Sequence, residues 1–103
     1  MASEKILNRA QEFIALLRQQ GTPVEMAYLF GSWAQGTATE WSDIDIAVVS
    51  PVFEGTKFYD RRKLDRAVVA VDTAIEAHPY RPQDFIASNP FVREILKTGI
   101  RLV

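Results

Sequence analysis

The 103-residue chain sets 12 Lys and Arg against 13 Asp and Glu for a net charge of -1, with 48% hydrophobic residues, 24% charged residues and no cysteine. This length favours one domain, residues 1–103, with a modest core, and the balanced charge argues against broad electrostatic capture of DNA or RNA. Disulfide staples and thiolate metal sites are excluded; no apolar run approaches the roughly 20 residues that span a bilayer, and the N-terminal stretch is charged, so a cytoplasmic protein with no membrane association is expected.

In chain order, Ser3 is placed to cap a first helix in which Ile6, Leu7, Ala10, Phe13, Ile14 and Leu17 recur at helical spacing, and Gly21 with Pro23 ends it. Met26 to Phe30 reads as a short apolar strand, Gly31-Ser32 opens a turn and a short helix, and Gly36 to Ser42 reads as loop. A second strand is predicted over Asp43 to Val49, stopped by Ser50-Pro51, and an exposed connection leads to a helix from Lys57 to about Val71. Ala74 to Tyr80 is the predicted third strand. Gln83 to Lys97 is predicted helical with a break at Asn89-Pro90, and Gly99 releases a final strand, Ile100 to Val103, whose exposed edge could pair with a second copy or a companion.

Charge is unevenly placed along this order. No Lys or Arg falls between Arg18 and Lys57, whereas Glu25, Glu40, Asp43, Asp45 and Glu54 do. Side chains two apart on a strand share a face, so Asp43 and Asp45 point together while Ile44, Ile46 and Val48 pack on the other side. Ala74, Glu76 and His78 share a face of the third strand, and Glu76 completes a three-carboxylate cluster if that strand lies beside the second. Carboxylates about 4 Å apart repel by roughly 4 kcal/mol per pair at an effective dielectric near 20, so such a patch calls for protonation, basic partners or metal.

Metal is the simplest of the three. All-oxygen ligands suit Mg²⁺ or Mn²⁺, which take the rest of their coordination from waters and substrate phosphates. Two ions, bridged by Asp43 and Asp45 and reached on one side by Glu76, would assemble with a bound nucleotide and support in-line displacement at phosphorus. Backbone N–H groups at Gly31-Ser32 and the Ser32 hydroxyl would hold the terminal phosphates, the glycine permitting close approach.

Gly31-Ser32, ten residues, then Asp43-Ile44-Asp45 resembles the minimal nucleotidyltransferase family, small relatives of the DNA polymerase beta superfamily, in its full spacing. The resemblance runs from the strand ending at Phe30 through Ile75-Glu76-Ala77-His78-Pro79-Tyr80 to Gly99-Ile100-Arg101-Leu102-Val103. Many relatives carry Asp at the third acidic place, where Glu76 adds a methylene. The resemblance implies an α/β (α+β) nucleotidyltransferase fold, a small mixed sheet of about four strands with helices mainly on one face. It implies Asp43, Asp45 and Glu76 as catalytic and metal-binding residues, Gly31 and Ser32 as nucleotide-binding residues, and ATP or another NTP with two Mg²⁺ or Mn²⁺ ions. In the family, base, sugar and acceptor recognition depends on a further helical segment, which these residues do not contain. The implied companion is a small helical protein of the HEPN type, sometimes a toxin that receives AMP.

The leading expectation is an antitoxin-like enzyme that transfers AMP from ATP to a hydroxyl on a protein partner. The alternatives are a non-catalytic partner-binding module that retains the fold, and nucleotidyl transfer to a small hydroxylated molecule. His78, two residues from Glu76, is within reach of a ligand, but the favoured reading is a strand-end histidine at the surface. Trp33 and Trp41, flanking the acidic loop, suit either base stacking or packing against the short helix. Arg61, Arg62 and Arg66 are assigned to a partner interface rather than to phosphate.

Overall fold

The computed structural model describes residues 3–103. Helix α1 (Glu4–Gln19) leads into strand β1 (Met26–Phe30), short helix α2 (Ser32–Gln35) and strand β2 (Ile44–Val49). Helix α3 (Lys57–Val71), strand β3 (Ile75–Tyr80), a 3₁₀ turn (Pro82–Asp84), helix α4 (Pro90–Thr98) and strand β4 (Ile100–Arg101) follow. The predicted order of the main elements is found, with β2 and β3 each opening one residue later than expected and β4 ending at Arg101 rather than Val103; the helix expected from Gln83 is not formed before Asn89-Pro90, where only the 3₁₀ turn precedes α4. Asn89 caps α4 by accepting from Phe91 N–H at 2.9 Å, with Pro90 at the position whose missing N–H costs nothing. Ser3 stands at the N-cap of α1, but its side chain makes no capping hydrogen bond; its carbonyl accepts from Leu7 N–H instead.

The four strands form one mixed sheet in the order β3-β2-β1-β4. β1 is antiparallel to both β2 and β4, whereas β2 and β3 are parallel and joined by the α3 crossover, as a parallel pair requires. β3 pairs only with β2 among the described residues, and an edge strand is where Pro79, which has no N–H to give a second neighbour, is tolerated.

Alternation divides the sheet into two faces. Ala27, Leu29, Ile44, Ile46, Val48, Ile75 and Ala77 face the two long helices, meeting Ala10, Phe13, Ile14 and Leu17 of α1 and Leu64 and Ala67 of α3 in the main core. Tyr28, Phe30, Ala47 and Val49 point the other way, where Phe85 with Val92 and Ile95 of the shorter α4 cover part of the face. Asp45, Glu76 and His78 lie on this second face by the same alternation, half-buried. The long helices thus occupy one face as expected, and the acids occupy the other.

Candidate active site

β1 delivers the chain into Gly31, whose φ of 73° and ψ of -153° lie in a region open essentially to glycine alone. A Cβ there would also stand 2.6 Å from Asp45 Oδ2, so any other residue would displace that carboxylate. The turn and the acid are therefore in direct contact, an arrangement set by the register that pairs Phe30 with Asp45.

Asp43 stands one residue before β2 and is exposed. The loop that presents it is tied down by Ser42, whose Oγ accepts from Thr39 N–H at 2.9 Å and whose carbonyl accepts from Trp33 Nε1 at 3.2 Å. Trp33 is thereby committed to packing against the main core, while Trp41 stays 86% exposed.

β3 brings the third acid across, since Glu76 is the direct register partner of Asp45. Each of these facing carboxylates has a basic neighbour. His78 Nε2 lies 3.1 Å from Asp45 Oδ1, and Arg61 Nη2 on α3 donates to Glu76 Oε1 at 2.7 Å. His78 thus departs from the expected surface position: two residues beyond Glu76 in mid-strand it returns to the acidic face, where its ring meets the edge of Phe30 with centroids 4.9 Å apart. Arg61 departs in part from its assignment to a partner interface, since one of its nitrogens is used within the chain. Strand alternation carried the signal for His78. Nothing local carried the one for Arg61, which depends on where the crossover helix lies.

A small cavity of about 130 Å³ opens beside His78, lined also by Lys57, Asp60, Tyr80 and Arg81. Burial holds the Tyr80 phenol above its ordinary pKa. Asp60 is a buried carboxylate that the sequence did not single out; it accepts from the N–H groups of Glu54 and Gly55 at 2.8 and 2.9 Å and fixes the chain entering α3.

Among the described residues no three His, Cys, Asp or Glu side chains are gathered closely enough to hold a metal ion unaided. The donor chemistry nevertheless fits a hard divalent cation: carboxylates face each other from adjacent strands, and Asp45 is pressed against a turn that no side chain obstructs. A cation of this kind draws its remaining ligands from water and phosphate oxygens.

Residues 10–101 match the family model described as nucleotidyltransferase domain. The chain belongs to the nucleotidyltransferase domain family. The resemblance carried by Gly31-Ser32 and Asp43-Ile44-Asp45 is thereby borne out. A Methanocaldococcus jannaschii protein with the provisional name protein adenylyltransferase is 37% identical over 75 residues, covering 71% of this chain and 47% of that protein. This nucleotidyltransferase chain therefore spans about half the length of the curated relative it matches.

Solved nucleotidyltransferase structures carry the same fold. A provisionally assigned nucleotidyltransferase from Sulfolobus solfataricus superposes with a TM-score of 0.69 at 21% identity, over 94% of this chain and 78% of that one. A toxin-antitoxin structure with AMP-PNP gives 0.66 at 25% identity, over 90% and 72%. The toxin-antitoxin MntA-HepT gives 0.59 at 21% identity, over 98% and 72%.

Proposed function

We propose that this chain is a Mg²⁺-dependent adenylyltransferase that moves AMP from ATP to a hydroxyl on a protein partner and releases pyrophosphate, as the antitoxin half of a pair with a HEPN-type toxin. The observation that carries this reading is the register that sets Asp45 beside Gly31 on one side and Glu76 on the other. The nucleotide and the partner are supported by the AMP-PNP complex and by the MntA-HepT pair among the structural neighbours, and the AMP transfer by the name of the M. jannaschii relative.

In this reading Gly31 leaves room for the terminal phosphates to reach the backbone, and the Ser32 hydroxyl donates to them. Asp43, Asp45 and Glu76 would hold the divalent ions, which when bound supply charge stabilisation at the transferring phosphate. His78 fixes the orientation of the Asp45 carboxylate through the bond to Oδ1. The acceptor oxygen forms a bond to the α-phosphorus in line with the departing group, the bond from that phosphorus to the bridging oxygen breaks, and pyrophosphate leaves with the electron pair. The acceptor proton passes to a carboxylate of the site, with Glu76 on the acceptor side.

The test is incubation of the full chain and its HEPN-type companion with Mg²⁺ and ATP labelled at the α-phosphate. Label is expected on the companion with wild type and absent with a folded Asp43→Ala. Absence of transfer by wild type, with companion binding unchanged by Asp43→Ala, would instead establish a docking module without chemistry.

A further inference from the structure

We propose that Arg61 is a displaceable counter-ion that holds Glu76 Oε1 and gives way when a divalent ion takes that oxygen. This rests on the metal-site reading above. Arg61 Nη2 donates to Glu76 Oε1 at 2.7 Å, and an oxygen engaged by a guanidinium at that distance cannot also be a close metal ligand. The contact answers an electrostatic need, because Glu76 faces Asp45 in register and two adjacent carboxylates require compensation when no metal is present.

The pair is also built to open. Its side chains are 41% and 38% exposed, so water screens the attraction, and a pair of that exposure is worth only a factor of about two to five in an equilibrium. Arg61 has a second carboxylate within reach. Asp65 lies one helical turn further along α3, makes no salt bridge among the described residues, and lines the same surface hollow as Arg61, Lys57, Phe58 and Arg62. Movement of the guanidinium from Glu76 to Asp65 frees the third acid and keeps the arginine paired. Arg61 is thus a positioning residue, acting on the site through Glu76. Arg62, its neighbour, lies over the Phe58 ring at 5.9 Å and makes no salt bridge to Glu76.

The measurement is Mn²⁺ binding to the chain saturated with AMP-PNP, followed by electron paramagnetic resonance at low ionic strength. Arg61→Gln should bind Mn²⁺ roughly two- to five-fold more tightly than wild type. The gain should vanish when Glu76→Gln is combined with it, shrink in high salt, and be absent in Arg62→Gln. Unchanged or weaker Mn²⁺ binding by Arg61→Gln, or a gain that persists without Glu76, would overturn the inference. Titration with Mg²⁺ and AMP-PNP separates this outcome from failure of the enzymatic reading. Nucleotide binding without the Mn²⁺ gain removes Arg61 alone, whereas no AMP-PNP binding by any variant removes the transferase reading and the inference with it.

Discussion

Asp45 is constrained from three directions: Gly31 against Oδ2, His78 on Oδ1, and Glu76 as its register partner. Gly31→Ala would add a Cβ into the carboxylate and force alanine into a backbone region that glycine alone occupies freely. We expect it to lower stability by about 1–3 kcal/mol, read from the denaturant midpoint. His78→Ala leaves Asp45 without its orienting bond and should reduce AMP transfer roughly 10- to 100-fold in a chain that still folds, checked by initial rates with circular dichroism as the control. The spacing of Gly31, Asp43 and Asp45 made the motif legible before any coordinates. Glu76 was a candidate on the condition that its strand lay beside the second; the parallel register meets that condition, but the expected three-carboxylate cluster is not closed among the described residues. Alternation put His78 on the face of Glu76, but the surface position expected of it failed because Phe30 and Asp45 pack against the ring from neighbouring strands. The Arg61 contact to Glu76 bridges 15 positions of sequence through a helix, and no periodicity reports it.

At the level of elements, the loop before α3 depends on a single acid. Asp60 offers both oxygens to consecutive backbone N–H groups while almost fully buried, so Asp60→Ala strands two donors and should cost about 2–3 kcal/mol in chemical denaturation. The 3₁₀ turn after β3 is held instead by a half-buried pair, Arg81 to Asp84, at 2.6 Å. The hydrogen bond from Arg81, with its charge adding to the effect against a smaller opposing desolvation, holds the Asp84 carboxyl below its ordinary pKa. A depressed carboxylate pKa contributes stability above its unfolded value of 3.8 and loses it as pH falls through the lower folded value. Asp84→Asn should therefore be less stable than wild type at neutral pH, with the difference closing below about pH 4 in a pH series of thermal melts. Hydrophobic spacing made the long helices and the inner strands legible, because one face of each must be buried. It left Asp60 unread, since an acid in the first turn of a helix reads as a solvated charge until the preceding loop is seen to fold back over it.

For the whole molecule, the division of labour between the sheet faces explains how 103 residues carry both a core and a site. α1 and α3 close one face, and α4 covers only part of the other, so the acids stand beside packed residues without being sealed in. Stability resides in the first face, and Phe13→Ala, which empties a fully buried position in α1, should cost about 3–5 kcal/mol. The order β3-β2-β1-β4 was not fixed by pattern alone, because four short strands permit several arrangements; the crossover length before β3 favours parallel pairing but does not name its neighbour. The central claim is that Asp43, Asp45 and Glu76 come together around divalent metal when nucleotide arrives. Anomalous diffraction from crystals of the full chain grown with Mn²⁺ and AMP-PNP tests it most directly. The account predicts manganese peaks bridged by Asp43 and Asp45, one of them within ligand distance of Glu76, with the terminal phosphates on the Gly31-Ser32 turn; bound nucleotide with manganese away from these carboxylates would contradict it.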